Sequence, residues 1–130
     1  MIPSPDQEPT VKLAGSKPLP IQNIYYLKGE GNYSLVVCAP SRNGARLTFL
    51  SPDTLLQQET RLPTFVRVHK SYLINLDHVD EIALEYSDNG RLAGHITMKK
   101  GEIIPVARRR YTEVRQTIHA YQKAKQNHDK

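Results

Sequence analysis

The side chains able to do covalent or ligand chemistry are few and scattered. Histidines stand at positions 69, 78, 95, 119 and 128, and no two are four apart, the separation that puts two imidazoles on one helical face. His69 and His78 are divided by a strand-like stretch, with no thiolate near either, so no metal site is expected. The single cysteine, Cys38, ends the apolar run Ser34-Leu35-Val36-Val37. It reads as a buried structural thiol and cannot close an internal disulfide. No Gly-x-Ser-x-Gly occurs. Gly29-Glu30-Gly31-Asn32 is not a phosphate loop, because such a loop needs a Lys-Ser/Thr pair opening a helix, whereas Tyr33-Ser34 opens a strand. No catalytic residue and no cofactor is expected; what remains is non-covalent recognition.

Three polar segments interrupt apolar runs. Gly29 and Gly31 are expected to permit positive φ, turning the chain sharply so that Asn32, Tyr33 and Ser34 face outward. Amide, phenol and hydroxyl groups suit base edges and phosphates equally. His69-Lys70-Ser71 breaks an apolar stretch between Phe65-Val66-Arg67-Val68 and Tyr72-Leu73-Ile74, as a turn does. Ile103-Ile104-Pro105-Val106-Ala107 drops directly into Arg108-Arg109-Arg110. The net charge is +5, and all of the excess lies from Arg108 onward, where seven basic residues face only Glu113 and Asp129. Such a segment on a neutral body points to a polyanion. Charge alone leaves open the alternative of a solvated C-terminal helix.

The elements that must hold these segments are mostly strands. At 130 residues, with 38% hydrophobic and 24% charged, the chain has the size and composition of one globular domain. No apolar run approaches the roughly 18 residues of a membrane span, and Met1-Ile2-Pro3-Ser4-Pro5-Asp6 lacks the features of a secretory signal. A soluble cytoplasmic protein is expected. Residues 1–9, rich in proline, read as a flexible lead-in. Some eight short strands are predicted at Thr10–Ala14, Ile21–Leu27, Ser34–Cys38, Ala45–Leu50, Val66–Val68, Val79–Tyr86, Arg91–Met98 and Ile103–Val106. Asp88-Asn89-Gly90 is a hairpin signal, and Pro40–Gly44 and Lys99–Glu102 read as turns. Ser51 as N-cap and Pro52 at the first position predict a helix running to Arg61, where Leu62-Pro63 stops it. Val114, Ile118 and Tyr121 recur at helical spacing, so Arg109–Lys125 is predicted helical.

These residues carry a resemblance. Ile24-Tyr25-Tyr26-Leu27 with Glu30-Gly31-Asn32-Tyr33, then Phe65-Val66-Arg67-Val68-His69-Lys70-Ser71-Tyr72-Leu73-Ile74-Asn75, then Ile104-Pro105-Val106-Ala107-Arg108-Arg109, resemble a LytTR (LytR/AlgR-type) DNA-binding domain in that order. Asn75-Leu76-Asp77-His78-Val79-Asp80-Glu81-Ile82 fits as well. The resemblance implies a mainly β fold, sandwich-like, of short antiparallel sheets with one short internal helix and a C-terminal helix. It implies a DNA-binding domain over residues 10–118, followed by a basic helical extension over 119–130.

By the same resemblance, loops read double-stranded promoter DNA, and the chain is a bacterial transcription regulator, an output domain of response-regulator type without enzymatic activity. The candidate DNA-contacting residues are Asn32, Tyr33, Ser34, His69, Lys70, Ser71, Arg108, Arg109 and Arg110. Base reading falls to Tyr33 with Asn32, to Lys70 and to Arg108. Arg109 and Arg110 hold phosphates, while His69 and Asn75 shape the turn. Two protomers on paired repeats are implied, with no membrane and no small-molecule substrate as partner. Many family members carry a receiver domain or a membrane segment, and this chain shows neither. Two rival readings are a protein-interaction or signalling module and a single-strand or RNA-binding β domain. The latter calls for exposed aromatics, and the chain has no Trp and two Phe.

Overall fold

The computed structural model describes residues 9–38 and 48–128, with only the backbone of Asn127 and His128. Among them are ten strands and two helices. The strands are β1 (Thr10–Val11), β2 (Leu19–Pro20), β3 (Ile24–Glu30), β4 (Tyr33–Cys38), β5 (Thr48–Ser51), β6 (Phe65–His69), β7 (Tyr72–Asn75), β8 (Val79–Tyr86), β9 (Leu92–Met98) and β10 (Ile103–Val106). Helix α1 spans Leu55–Arg61 and α2 spans Tyr111–His128. The strands form a small β1-β2 pair, a five-stranded sheet in the order β5-β4-β3-β7-β6 and a three-stranded sheet in the order β10-β9-β8. All pairings are antiparallel.

The five-stranded sheet is covered on both faces, which is why its central strands read as nearly unbroken apolar runs. Ile24, Leu27, Val36 and Leu73 pack with Leu55 and Leu62 around α1. On the opposite face Tyr25, Val68 and Ile74 meet Ile96 of the three-stranded sheet and Val114 and Ile118 of α2. A bulge between Ile24 and Tyr26 lets the consecutive Tyr25 and Tyr26 pack against this same core. Each fully buried aliphatic side chain contributes roughly 1.5–3 kcal/mol. Tyr25 is buried, and its hydroxyl accepts from the Lys100 amide at 2.5 Å, so its polar end is satisfied.

The fold is mainly β, as expected, with differences in detail. Ser51 does not cap α1: it ends β5, fully buried, and its hydroxyl accepts from Gln58 Nε2 at 3.0 Å. The cap is Thr54, in a capping box with Gln57, because this pair satisfies two otherwise orphaned amides. The predicted Thr10–Ala14 strand shortens to Thr10–Val11, paired with an unanticipated Leu19–Pro20. Arg108–Arg110 form a 3-10 turn ahead of α2 instead of its first residues. The stripe Val114-Ile118 packs against the β body, with Tyr121 half-buried beside it and Ala124 exposed. The lead-in up to residue 8, the Pro40–Gly44 turn and residues 45–47 of the fourth predicted strand lie outside the described residues.

Candidate nucleic-acid interface

Glu30 pairs with Tyr33, so Gly31 and Asn32 make a two-residue hairpin turn. Gly31 has φ +63 while Asn32 does not enter the positive region, the pattern of a type II′ turn that closes a hairpin with the native strand twist. Gly29 does not use this freedom. It lies within β3, where a Cβ would meet Leu55 Cδ1 at 3.3 Å, so its need is close approach to α1. Asn32 is exposed and Tyr33 is 53% exposed. Ser34 departs from the expectation that it faces outward: it is fully buried, and its hydroxyl donates to the Asp53 carbonyl at 2.6 Å, anchoring the segment before α1. The period-two alternation of a strand turns it inward once Tyr33 faces out.

The second polar segment is also a two-residue turn, since His69 pairs with Tyr72 across Lys70 and Ser71. His69 Nδ1 accepts from the Ser71 amide at 3.1 Å. Burial pushes the imidazole below its ordinary value, helped by the charges of Lys70, Arg67 and Arg110. A neutral ring with Nδ1 as acceptor carries its proton on Nε2. Lys70 is exposed, and Ser71 is half-buried.

Two main-chain bonds bring the separate segments to one end of the molecule. Gly29 N–H donates to the Ser71 carbonyl at 2.8 Å, setting the β3–β4 turn beside the β6–β7 turn. Ala107 N–H donates to the Val68 carbonyl at 2.8 Å, setting the exit of β10 beside the end of β6. Arg108, Arg109 and Arg110 follow, all exposed, and His69, Lys70, Arg109 and Arg110 line a common cleft with Glu113. Asn32, Tyr33, Lys70 and the three arginines thus share a cationic end, with Ser34 withdrawn beneath it. Asn75 is buried away from this surface and shapes the following turn: its Nδ2 donates to the Ile24 carbonyl at 2.9 Å and its Oδ1 accepts from Asp77 N–H at 3.0 Å.

One residue at this end has no counterpart among the expected site residues. Arg67 donates through Nε to the His69 carbonyl at 2.9 Å, through Nη2 to the Lys70 carbonyl at 2.5 Å and through Nη1 to Glu59 of α1 at 3.0 Å. Its place between Val66 and Val68 marks it as a polar residue on an alternating strand, and nothing local shows where its guanidinium goes. Elsewhere, Cys38 is buried, and burial pushes its thiol up, away from thiolate character. No helix among the described residues is long and apolar enough to cross a membrane.

A family model described as the LytTr DNA-binding domain matches residues 14–119. The chain is 33% identical over 75 residues to the sensory transduction protein LytT of Bacillus cereus, covering 56% of this chain and 29% of that protein. It is 38% identical over 65 residues to the transcriptional regulatory protein BtsR of Escherichia coli, covering 50% of this chain and 25% of that protein. The chain therefore matches less than a third of the length of these relatives. Among solved structures, the LytTr DNA-binding domain of a methyl-accepting/DNA response regulator from Bacillus cereus superposes with a TM-score of 0.59. That match has 23% identity and covers 84% of this chain and 94% of the other, a likeness of fold.

Proposed function

The chain belongs to the LytTr DNA-binding domain family, and from that premise we propose that it binds double-stranded promoter DNA sequence-selectively, as a regulator of transcription in the bacterial cytoplasm. Residues 10–118 act as the binding unit and 119–130 as a basic extension. The observation that carries this reading is the gathering of the two hairpin turns and the Arg108–Arg110 turn at one exposed cationic end. Strand ends supply the readers in place of a recognition helix, so Tyr33 with Asn32, Lys70 and Arg108 enter the grooves from a rigid β body. An arginine suits the O6 and N7 acceptors of guanine in the major groove, a bidentate contact discriminating by about 1–3 kcal/mol. Arg109 and Arg110 neutralise phosphates and fix the register without reading sequence. His69 and Ser71 hold the turn that presents Lys70. No catalytic step is assigned. Two protomers occupy paired repeats.

The experiment is selection of duplexes from a random pool, followed by salt titration of the tightest binder. A consensus sequence whose binding weakens steeply with salt is the expected result, because counterions are released wherever a basic side chain neutralises a phosphate. Recovery of no consensus, with affinity indifferent to salt, would remove the reading in favour of a protein-interaction module.

A further inference from the structure

The two hairpin turns at the cationic end close by different means. The Gly31-Asn32 turn has the positive φ that two-residue hairpins use to match strand twist. The Lys70-Ser71 turn does not: no non-glycine residue among those described has a positive φ. A two-residue turn of that kind splays its strands unless something else holds it. The ladder is already irregular there, shifting register between Arg67 and His69. The carbonyls of His69 and Lys70 both accept from one guanidinium, which Glu59 fixes from the side of α1.

We infer that Arg67, braced by Glu59, is a specificity-determining positioning residue: it latches the Lys70-Ser71 turn from beneath and so sets where Lys70 meets DNA. The inference rests on the DNA-binding reading above and deepens it. Arg67 itself touches no base. Its guanidinium is largely covered, with the side chain 19% exposed, and all three of its nitrogens are engaged inside the protein. The rigid planar fork can serve two carbonyls and a carboxylate together, which the single ammonium of a lysine cannot reproduce. Helix α1 then serves both turns, since Leu55 packs on Gly29 at the base of the first and Glu59 braces the latch of the second.

The test compares Arg67→Lys, Glu59→Gln, Lys70→Ala and the Arg67→Lys/Lys70→Ala double variant in the full chain. The probes are the duplex selected from a random pool and its scrambled counterpart. Arg67→Lys is expected to cut the affinity ratio between the two duplexes about tenfold while leaving the salt slope unchanged, because every phosphate-neutralising side chain is still in place. In the Lys70→Ala background the same substitution should have no further effect on the ratio. In the DNA-free protein, exchange of the Ser71 amide should quicken about tenfold. Glu59→Gln, which leaves the fork in place and weakens its brace, should move each readout the same way by less, and it serves where Arg67→Lys fails to fold. An unchanged ratio in a folded Arg67→Lys protein overturns the inference, as does an equal loss on both duplexes or unchanged Ser71 exchange. Failure of the DNA-binding reading shows separately, as a wild-type protein with no preference between the duplexes.

Discussion

The amide of Ala107 donates to the carbonyl of Val68 at 2.8 Å, and this bond stitches the exit of the three-stranded sheet to the end of the five-stranded one. His69 follows Val68 and Arg108 follows Ala107. One main-chain hydrogen bond therefore fixes the distance between the turn that carries Lys70 and the arginine triplet. Because the bond is between backbones, substitution of the side chains on either side leaves the frame intact. The exposed cations can then be probed one at a time.

Arg108→Ala is expected to lose about 1–3 kcal/mol of binding to the selected duplex and to relax preference at one or two base positions. Arg109→Ala should instead weaken selected and scrambled duplexes together, with a shallower salt slope. Mobility-shift titrations on both duplexes separate the two. Unchanged sequence preference in Arg108→Ala would remove it from the base readers.

The docking of α2 supplies a pH signature. The Tyr121 hydroxyl donates to the Asp77 carboxylate, and Lys125 Nζ lies 3.0 Å from the same group. Burial works against the Asp77 charge, yet Tyr121 and Lys125 prevail and hold its carboxyl below the usual 3.8. Burial, with the bond to Asp77 next, pushes the Tyr121 hydroxyl up to about 12 from an ordinary 10.0. Asp77 thus contributes stability that is present above about pH 4 and lost as pH falls through its lowered folded value. Tyr121 contributes stability present below about pH 10 and lost as pH rises toward about 12. Tyr121→Phe should cost about 1 kcal/mol at neutral pH. The difference in Tm from wild type should be flat between about pH 5 and 9 and shrink at both extremes. A pH-independent difference would show that packing, not the bond, accounts for the loss.

This pair also marks where the sequence stops being legible. Strands β8 and β10 and the Asp88-Asn89-Gly90 hairpin follow from alternation and turn residues, signals carried within a few positions. The stripe Val114-Ile118 predicts a packed helix because its period is local as well. Nothing local joins Tyr121 to Asp77, 44 residues away, or tells that Arg67 turns its fork onto the two carbonyls that follow. Ser34 departs from expectation for a related reason. Its residue type suits a polar loop, but the strand begins at Tyr33, one position earlier than expected, and alternation buries the next residue. Ser51 has the residue type of a cap, yet the Thr54–Gln57 box satisfies the helix start and leaves Ser51 to the sheet.

A buried polar pair under α1 offers a stability test away from the cationic end. Gln58 is fully buried; its Nε2 donates to Ser51 Oγ, while its Oε1 has no hydrogen-bond partner among the described residues. A buried acceptor left unpaired costs about 1–3 kcal/mol, and removing both members of a pair avoids stranding either. The Gln58→Met/Ser51→Ala double variant is therefore expected to be at least as stable as wild type in urea. Gln58→Ala, which opens a cavity and removes the donor to Ser51 Oγ, should lose about 2 kcal/mol. A double variant less stable than Gln58→Ala would show that the pair is fully satisfied.

The exposed charges of α2 should act on affinity without reading sequence. Arg115 and Lys123 are exposed on a helix whose opposite stripe is buried against the β body, which leaves them turned to solvent. Truncation after Ile118 would be a poor test, because it also removes Tyr121 and Lys125 from Asp77 and Gln122 from the Asp80 carbonyl. Arg115→Gln and Lys123→Gln leave those bonds in place. For every phosphate that is no longer neutralised, the log–log salt slope should fall by about 0.9 on B-form DNA. The double substitution is expected to weaken selected and scrambled duplexes by the same factor, with that shallower slope and an unchanged Tm. A loss confined to the selected duplex would mean that α2 reads sequence or touches a second protomer bound to the same duplex. Equal losses at every salt concentration, with no change of slope, would instead place the effect in the packing of the helix and not in its charge.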